Sequence, residues 1–125
     1  DLPMFSVGRA AHADEEIIEV QAWLKKACHE EIDIPQMAAK ADMPVRTFTR
    51  RFRRALGLTP NQYLQDIRIE NGRELLKSTD LSIQDVAENV GYRDTAYFSR
   101  VFKARVGLTP SEYKKMVRPK LFHLD

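Results

Sequence analysis

FTRRFRRALGLTPNQY, Phe48 to Tyr63, returns as FSRVFKARVGLTPSEY, Phe98 to Tyr113, at a constant offset of 50 residues. Self-similarity over so long a stretch marks a duplicated structural unit. Phe48 pairs with Phe98, Arg50 with Arg100, Phe52 with Phe102, and the run Gly57 to Pro60 with Gly107 to Pro110. Upstream the match continues one residue out of phase, with Ile34 and Ala38 facing Ile83 and Ala87. The slip falls in a turn, where insertions are tolerated best.

Working outward from the repeat, apolar residues recur at helical spacing, and strand-like alternation bounded by turn residues is absent. The fold class is therefore all-α, with about seven helices in two helix-turn-helix subdomains joined by a long linker helix. The first helix is expected from about Asp14 to Glu30, with Ile17, Val20, Leu24, Ala27 and Cys28 on one side. Short helices follow over about Ile34 to Ala41 and Ile83 to Val90. Asp33 with Gln36, and Ser82 with Asp85, supply their N-caps. Longer helices come next, over about Val45 to Leu56 and Thr95 to Val106, and Gly57 and Gly107 stop them with left-handed caps. Thr59-Pro60-Asn61-Gln62 and Thr109-Pro110-Ser111-Glu112 both read as capping boxes with Pro at the first helical position. From Pro60 to about Ser78 a single helix of roughly 28 Å is expected at about 1.5 Å per residue. Asn71-Gly72 in its interior costs about 1 kcal/mol relative to Ala, so close packing or a bend is expected there.

Residues 1–13 are read as a linker or N-terminal extension, 14–58 as the first helix-turn-helix subdomain and 59–79 as the linker helix. Residues 80–117 form the second subdomain and 118–125 a C-terminal tail.

At 125 residues and 43% hydrophobic content the chain can bury a core without staples. Its single Cys excludes an internal disulfide framework, and His12, His29 and His123 lack metal-ligand spacing. Cys28 lies on an apolar helix face, where an inert buried thiol is the common case. Trp23 and the Met residues read as packing groups. No convergent set of nucleophile, base and oxyanion donor points to catalysis, so no enzyme and no cofactor is expected. The chain has no signal-peptide pattern and no apolar run long enough to span a membrane, which makes a cytoplasmic location the expectation. It opens with Asp1 rather than Met and is expected to be a piece of a longer protein, with a sensor domain outside the chain.

Net charge is only +2, so its distribution carries the functional argument. The first third is acidic, with Asp14, Glu15, Glu16, Glu19, Glu30, Glu31 and Asp33, whereas Pro44 to Leu56 holds five Arg and no acid. Placing successive residues about 100° apart puts Val45, Phe48, Phe52, Ala55 and Leu56 on one stripe, facing the core. Arg46, Thr47, Arg50, Arg53 and Arg54 fall opposite; the matching strip in the second unit is Ala96, Tyr97, Arg100, Lys103 and Ala104. One arginine strip is ordinarily a solvated face. Its recurrence behind a short helix and a tight turn, twice in one register, points instead to double-stranded DNA. Guanidinium pairs bidentately with guanine O6 and N7 or with phosphate. Base-contact candidates near the helix N-termini are Arg46, Thr47, Thr49 and Arg50, with Thr95, Ala96, Tyr97, Ser99 and Arg100 in the second unit. Arg51, Arg53, Arg54, Arg93 and Lys103 are phosphate candidates. Phe48, Phe52, Phe98 and Phe102 lie on the opposite stripe and read as core, not as stacking platforms for single strands. Arg105 shares the phase of Ala55 on the buried stripe, so it is expected to snorkel or to pair with an acid.

Residues 33 to 114, and above all RIENGRELLKSTDLSIQDVAENVGYRDTAYFSRVFKARVGLTPSEY, resemble the DNA-binding domain of AraC/XylS regulators. The resemblance implies two helix-turn-helix units, each placing its second helix in successive major-groove segments on one DNA face. It implies base reading at Arg46, Thr49 and Arg50, and at Ala96, Tyr97 and Arg100. Pro44 stands where a capping Ser is frequent, Gly72 where Ala is frequent, and Asp42 where Gly91 supplies a turn glycine in the second unit. These departures bear on how the first recognition helix enters. The opening PMFSVGRAAHADEEIIEVQAWL resembles the segment preceding this domain in regulators whose sensor is like a class-I glutamine amidotransferase. The expected partner is a double-stranded operator, with RNA polymerase as a second candidate and no membrane. The rival reading is a helical adaptor that docks its basic strips on an acidic protein.

Overall fold

The computed structural model describes residues 14–119, within which seven α-helices and no strands occur. They are α1 (Glu15–Ala27), α2 (Ile34–Lys40), α3 (Val45–Leu56), α4 (Pro60–Ser78), α5 (Ile83–Val90), α6 (Thr95–Val106) and α7 (Pro110–Val117). The chain divides into two compact units, one ending at Leu64 and one beginning at Gln65, so α4 contributes its first turn to one and the rest to the other. The extension expected before Asp14 and most of the C-terminal tail lie outside the described residues.

The first unit is built on α1, whose N-cap Asp14 accepts the backbone N–H of Ile17. Ile17, Val20, Leu24, Ala27 and Cys28 are all buried, as their spacing requires. The helix ends at Ala27 rather than at Glu30, and the N–H of Glu30 closes a turn on the carbonyl of Ala27 at 2.9 Å. Beyond Cys28 the apolar stripe is exhausted, and the acids Glu30 and Glu31 would oppose the negative end of the helix dipole. Helix α2 opens with the reciprocal capping box of Asp33 and Gln36, both bonds at 2.8 Å, and packs on α3. Phe48 and Phe52 of α3 are fully buried. Phe52 meets Tyr63 edge-on at 5.5 Å, and the Tyr63 hydroxyl accepts a hydrogen bond from buried Gln21. Val45 departs from its expected place on the buried stripe and is 44% exposed. It occupies the first position of α3, from which a side chain leans back past the helix end rather than down onto the core.

The second unit repeats this plan. Ser82 caps α5 through the N–H of Asp85, and α5 packs on α6. Phe98 and Phe102 are fully buried, and Phe102 meets Tyr113 edge-on at 5.5 Å, reproducing the Phe52–Tyr63 pair. Ile69 and Leu76 of α4, Val86, Ala87 and Val90 of α5, and Tyr92 complete this core. The interior glycine of α4 is explained by close packing: a Cβ on Gly72 would lie 3.3 Å from the Phe98 ring. Met116 of α7, expected to pack, is 59% exposed, because the helix's buried side runs through Tyr113 instead.

Gly57 and Gly107 take φ of +75° and +93°, a conformation L side chains seldom adopt, and end α3 and α6 at matching points. The Thr59/Gln62 and Thr109/Glu112 capping boxes both form, and the next helices start at Pro60 and Pro110, three residues after each glycine.

Candidate nucleic-acid interface

Each unit sets its second helix on a buried pair of phenylalanines, which fixes the opposite face toward solvent. In α3, Arg46, Arg50, Arg53 and Arg54 are exposed, while Thr47 and Thr49 are half-buried on the flanks. None of the four arginines makes an ion pair or side-chain hydrogen bond among the described residues. Four uncompensated guanidinium groups within nine residues of one rigid helix create a strongly positive ridge, costly in isolation and suited to an anionic partner.

Arg51, grouped above with the phosphate candidates, is held differently. Its Nε and one terminal nitrogen grip the Asp14 carboxylate at 3.0 and 2.7 Å, and that same nitrogen also reaches Glu16. The two carboxylates raise the Arg51 pKa above its already high ordinary value, chiefly through these hydrogen bonds. The guanidinium thereby ties α3 to the start of α1. Its signal in the sequence is its phase, at the border between the phenylalanine stripe and the arginine strip; the acids it would find were visible only as a general acidic bias.

In α6 the exposed strip is Ala96, Tyr97, Arg100, Lys103 and Ala104, with Thr95 and Ser99 half-buried and Arg93 exposed in the preceding turn. Tyr97 is 41% exposed, with the Arg100 guanidinium 5.6 Å from its ring centre. On its inner side the Tyr97 ring lies 5.8 Å from that of buried Tyr92, over which Arg68 of α4 stacks at 5.4 Å. Burial pushes the Tyr92 phenol up to about 12, so it stays neutral.

Sequence reasoning missed Gln65 and Asp66 of α4. The cation whose phase was anomalous, Arg105, pairs with Asp66 at 2.9 Å and donates to the Gln65 side-chain oxygen at 2.7 Å. The Gln65 nitrogen in turn donates to the Tyr97 hydroxyl at 3.1 Å. The clue was a cation placed on an apolar stripe, which requires an acid nearby.

The entry turns differ by one residue. The N–H of Met43 returns to the Ala38 carbonyl at 3.1 Å and that of Tyr92 to Ala87 at 2.9 Å, so both short helices end in the same way. The left-handed residue is Asp42 (φ +55°) in the first turn and Gly91 (φ +113°) in the second. From there only Met43 and Pro44 precede α3, whereas Tyr92, Arg93 and Asp94 precede α6.

Among the described residues, no helix is long and apolar enough to cross a membrane, and no group of three or more His, Cys, Asp or Glu residues could hold a metal ion.

A family model described as a helix-turn-helix domain matches residues 37–116. Among curated relatives, the HTH-type transcriptional activator RhaS of Citrobacter koseri is 34% identical over 90 residues, which is 72% of this chain and 32% of that protein. The transcriptional activator NphR of a Rhodococcus species is 37% identical over 105 residues, 83% of this chain and 31% of that protein. The chain thus spans about a third of the length of the curated relatives it matches. Among solved structures, the DNA-binding domain of AdpA, a global transcriptional factor in complex with a target DNA, superposes with a TM-score of 0.81 at 33% identity, covering 86% of this chain and 97% of that one. The C-terminal domain of AraT, a response regulator from Geobacillus stearothermophilus, gives 0.78 at 28% identity, covering 81% and 84%. These matches span the duplicated units described above, each with a core-anchored second helix, and the chain belongs to the AraC/XylS family as a C-terminal-type DNA-binding domain.

Proposed function

We propose that this domain binds double-stranded DNA sequence-specifically and regulates transcription, with α3 and α6 each laid into a major-groove segment. The observation that carries the reading is the ridge of Arg46, Arg50, Arg53 and Arg54, exposed and unpaired on the second helix of a helix-turn-helix. Residues in the first turns of such a helix reach base edges, which assigns reading to Arg46, Thr47, Thr49 and Arg50, and to Thr95, Ala96, Tyr97, Ser99 and Arg100. Arg53, Arg54, Lys103 and Arg93 are assigned to phosphates. Arg51, occupied by Asp14 and Glu16, is assigned to holding α3 in place. The DNA-bound AdpA domain and the activators RhaS and NphR support this reading. A cytoplasmic location, a contact to RNA polymerase and a sensor domain elsewhere in a longer protein accord with it.

Selection of duplexes from a random pool tests the proposal: the domain should enrich a defined site, and recovery of no preferred sequence would refute it. On the enriched site, Arg50→Ala or Arg100→Ala should cost about 1–3 kcal/mol and relax preference at particular base pairs. Uniform weakening across sequences would move either residue to the phosphate set. The affinity should fall with salt, and Arg54→Gln should lower the log–log slope by about 0.9 while Arg51→Gln leaves it unchanged.

A further inference from the structure

The four-residue chain from Asp66 through Arg105 and Gln65 to Tyr97 has a chemical direction. Arginine carries only donors, so the group of Gln65 that faces Arg105 at 2.7 Å must be its carbonyl oxygen. That leaves the Gln65 NH2 facing the Tyr97 hydroxyl at 3.1 Å, and the hydroxyl oxygen must accept. The amide cannot be reversed without setting its NH2 against a guanidinium. A phenol that accepts in this way holds its own hydrogen away from the donor, and Tyr97 has no acceptor for that hydrogen among the described residues.

Both ends of the chain are anchored. Asp66, whose side chain is only 10% exposed, fixes Arg105 at 2.9 Å, and the Arg100 guanidinium covers the Tyr97 ring. We infer that Arg105 and Gln65 set Tyr97 as an outward-pointing hydrogen-bond donor, so that α6 reads an acceptor on a base edge of its DNA site at this position. The inference rests on the proposed DNA-binding function. Tyr97 is the contacting residue; Gln65 and Arg105 are positioning residues acting through it. The first unit has Thr47 and Ala55 where the second has Tyr97 and Arg105, so this device is absent from α3.

Gln65→Glu tests the direction. A carboxylate at 65 keeps the partner for Arg105 but can only accept, so the Tyr97 hydroxyl would turn its hydrogen inward and lose its outward donor. Affinities are measured for a duplex selected by the unaltered domain and for a random-sequence duplex. Tyr97→Phe should weaken the selected duplex roughly three- to tenfold relative to the random one, the worth of one hydrogen bond. Gln65→Glu should lower that same ratio to a similar extent, beyond any general loss from its added charge, and should lower it no further in a Tyr97→Phe background. A Gln65→Glu ratio equal to that of the unaltered domain, or an undiminished effect in the Tyr97→Phe background, would overturn the inference. Weakening of both duplexes alike by Tyr97→Phe would also overturn it, by assigning the hydroxyl to a phosphate. In the DNA-free domain, Tyr97→Phe should shift the Gln65 side-chain amide resonances; unmoved resonances would refute the relay even if the domain binds DNA, and moved ones would support it even if no duplex is preferred.

Discussion

At the start of α6, the Asp94 carboxylate takes the backbone N–H groups of Ala96 and Tyr97 at 2.9 and 3.2 Å; at the start of α3 stands Pro44, which makes no side-chain cap. The two helices are otherwise built alike, with the same buried phenylalanine pair, the same terminal glycine and the same capping box after it. What α3 lacks locally it gains from a distance, through Arg51 and its grip on Asp14 and Glu16 at the head of α1. Position 51 is matched in the second unit by Val101, and position 105 by Ala55 in the first. Each unit therefore has its own long-range anchor for its second helix, Arg51 to α1 in one and Arg105 to α4 in the other. A duplicated fold keeps the contacts its core needs and is free to differ in the contacts that aim its surface.

The common core can be broken first. Phe52→Ala and Phe102→Ala should each cost about 3–5 kcal/mol, since each removes a fully buried ring in edge contact with a tyrosine. Denaturant unfolding with hydrogen exchange should show protection lost first in the helices of the altered unit; equal loss throughout the chain would deny the two units separate cores.

The caps come next in size. Asp94→Ala should destabilise by about 1 kcal/mol, while Pro44→Ser, by giving α3 an acceptor for the N–H of Thr47, should stabilise by a few tenths of a kcal/mol or more. Thermal unfolding checks both, and a stabilising Asp94→Ala would contradict the cap's role.

The smallest change is Asp42→Gly. Glycine removes the steric cost of φ +55° but adds freedom to the unfolded chain, so a net gain of roughly 0.5 kcal/mol is expected from the denaturation midpoint. A loss of stability would mean that the Asp42 side chain contributes more than its backbone costs.

Most of the fold was legible in the residues because it depends on local rules. Helix spacing, Thr-Pro capping boxes and C-terminal glycines are set within a few positions of one another: the boxes start α4 and α7, and glycines end α3, α5 and α6, where those signals stand. The end of α1 was less legible, since it is decided by where apolar contact runs out rather than by a stop signal. Val45 illustrates the same limit: its phase matched the buried stripe, but phase does not say how far along the axis the core reaches.

The candidate interface divides along that line. Which face of α3 carries the guanidinium ridge followed from the sequence alone, because Phe48 and Phe52 must turn inward and 100° per residue then places Arg46, Arg50, Arg53 and Arg54 opposite. Which of the neighbouring cations are already spoken for was decided only by tertiary structure. Arg51 meets Asp14 across 37 positions and Arg105 meets Asp66 across 39, and no periodicity within one helix encodes a partner on another. Such pairs exist only once the packed cores have brought those helices to hydrogen-bonding distance.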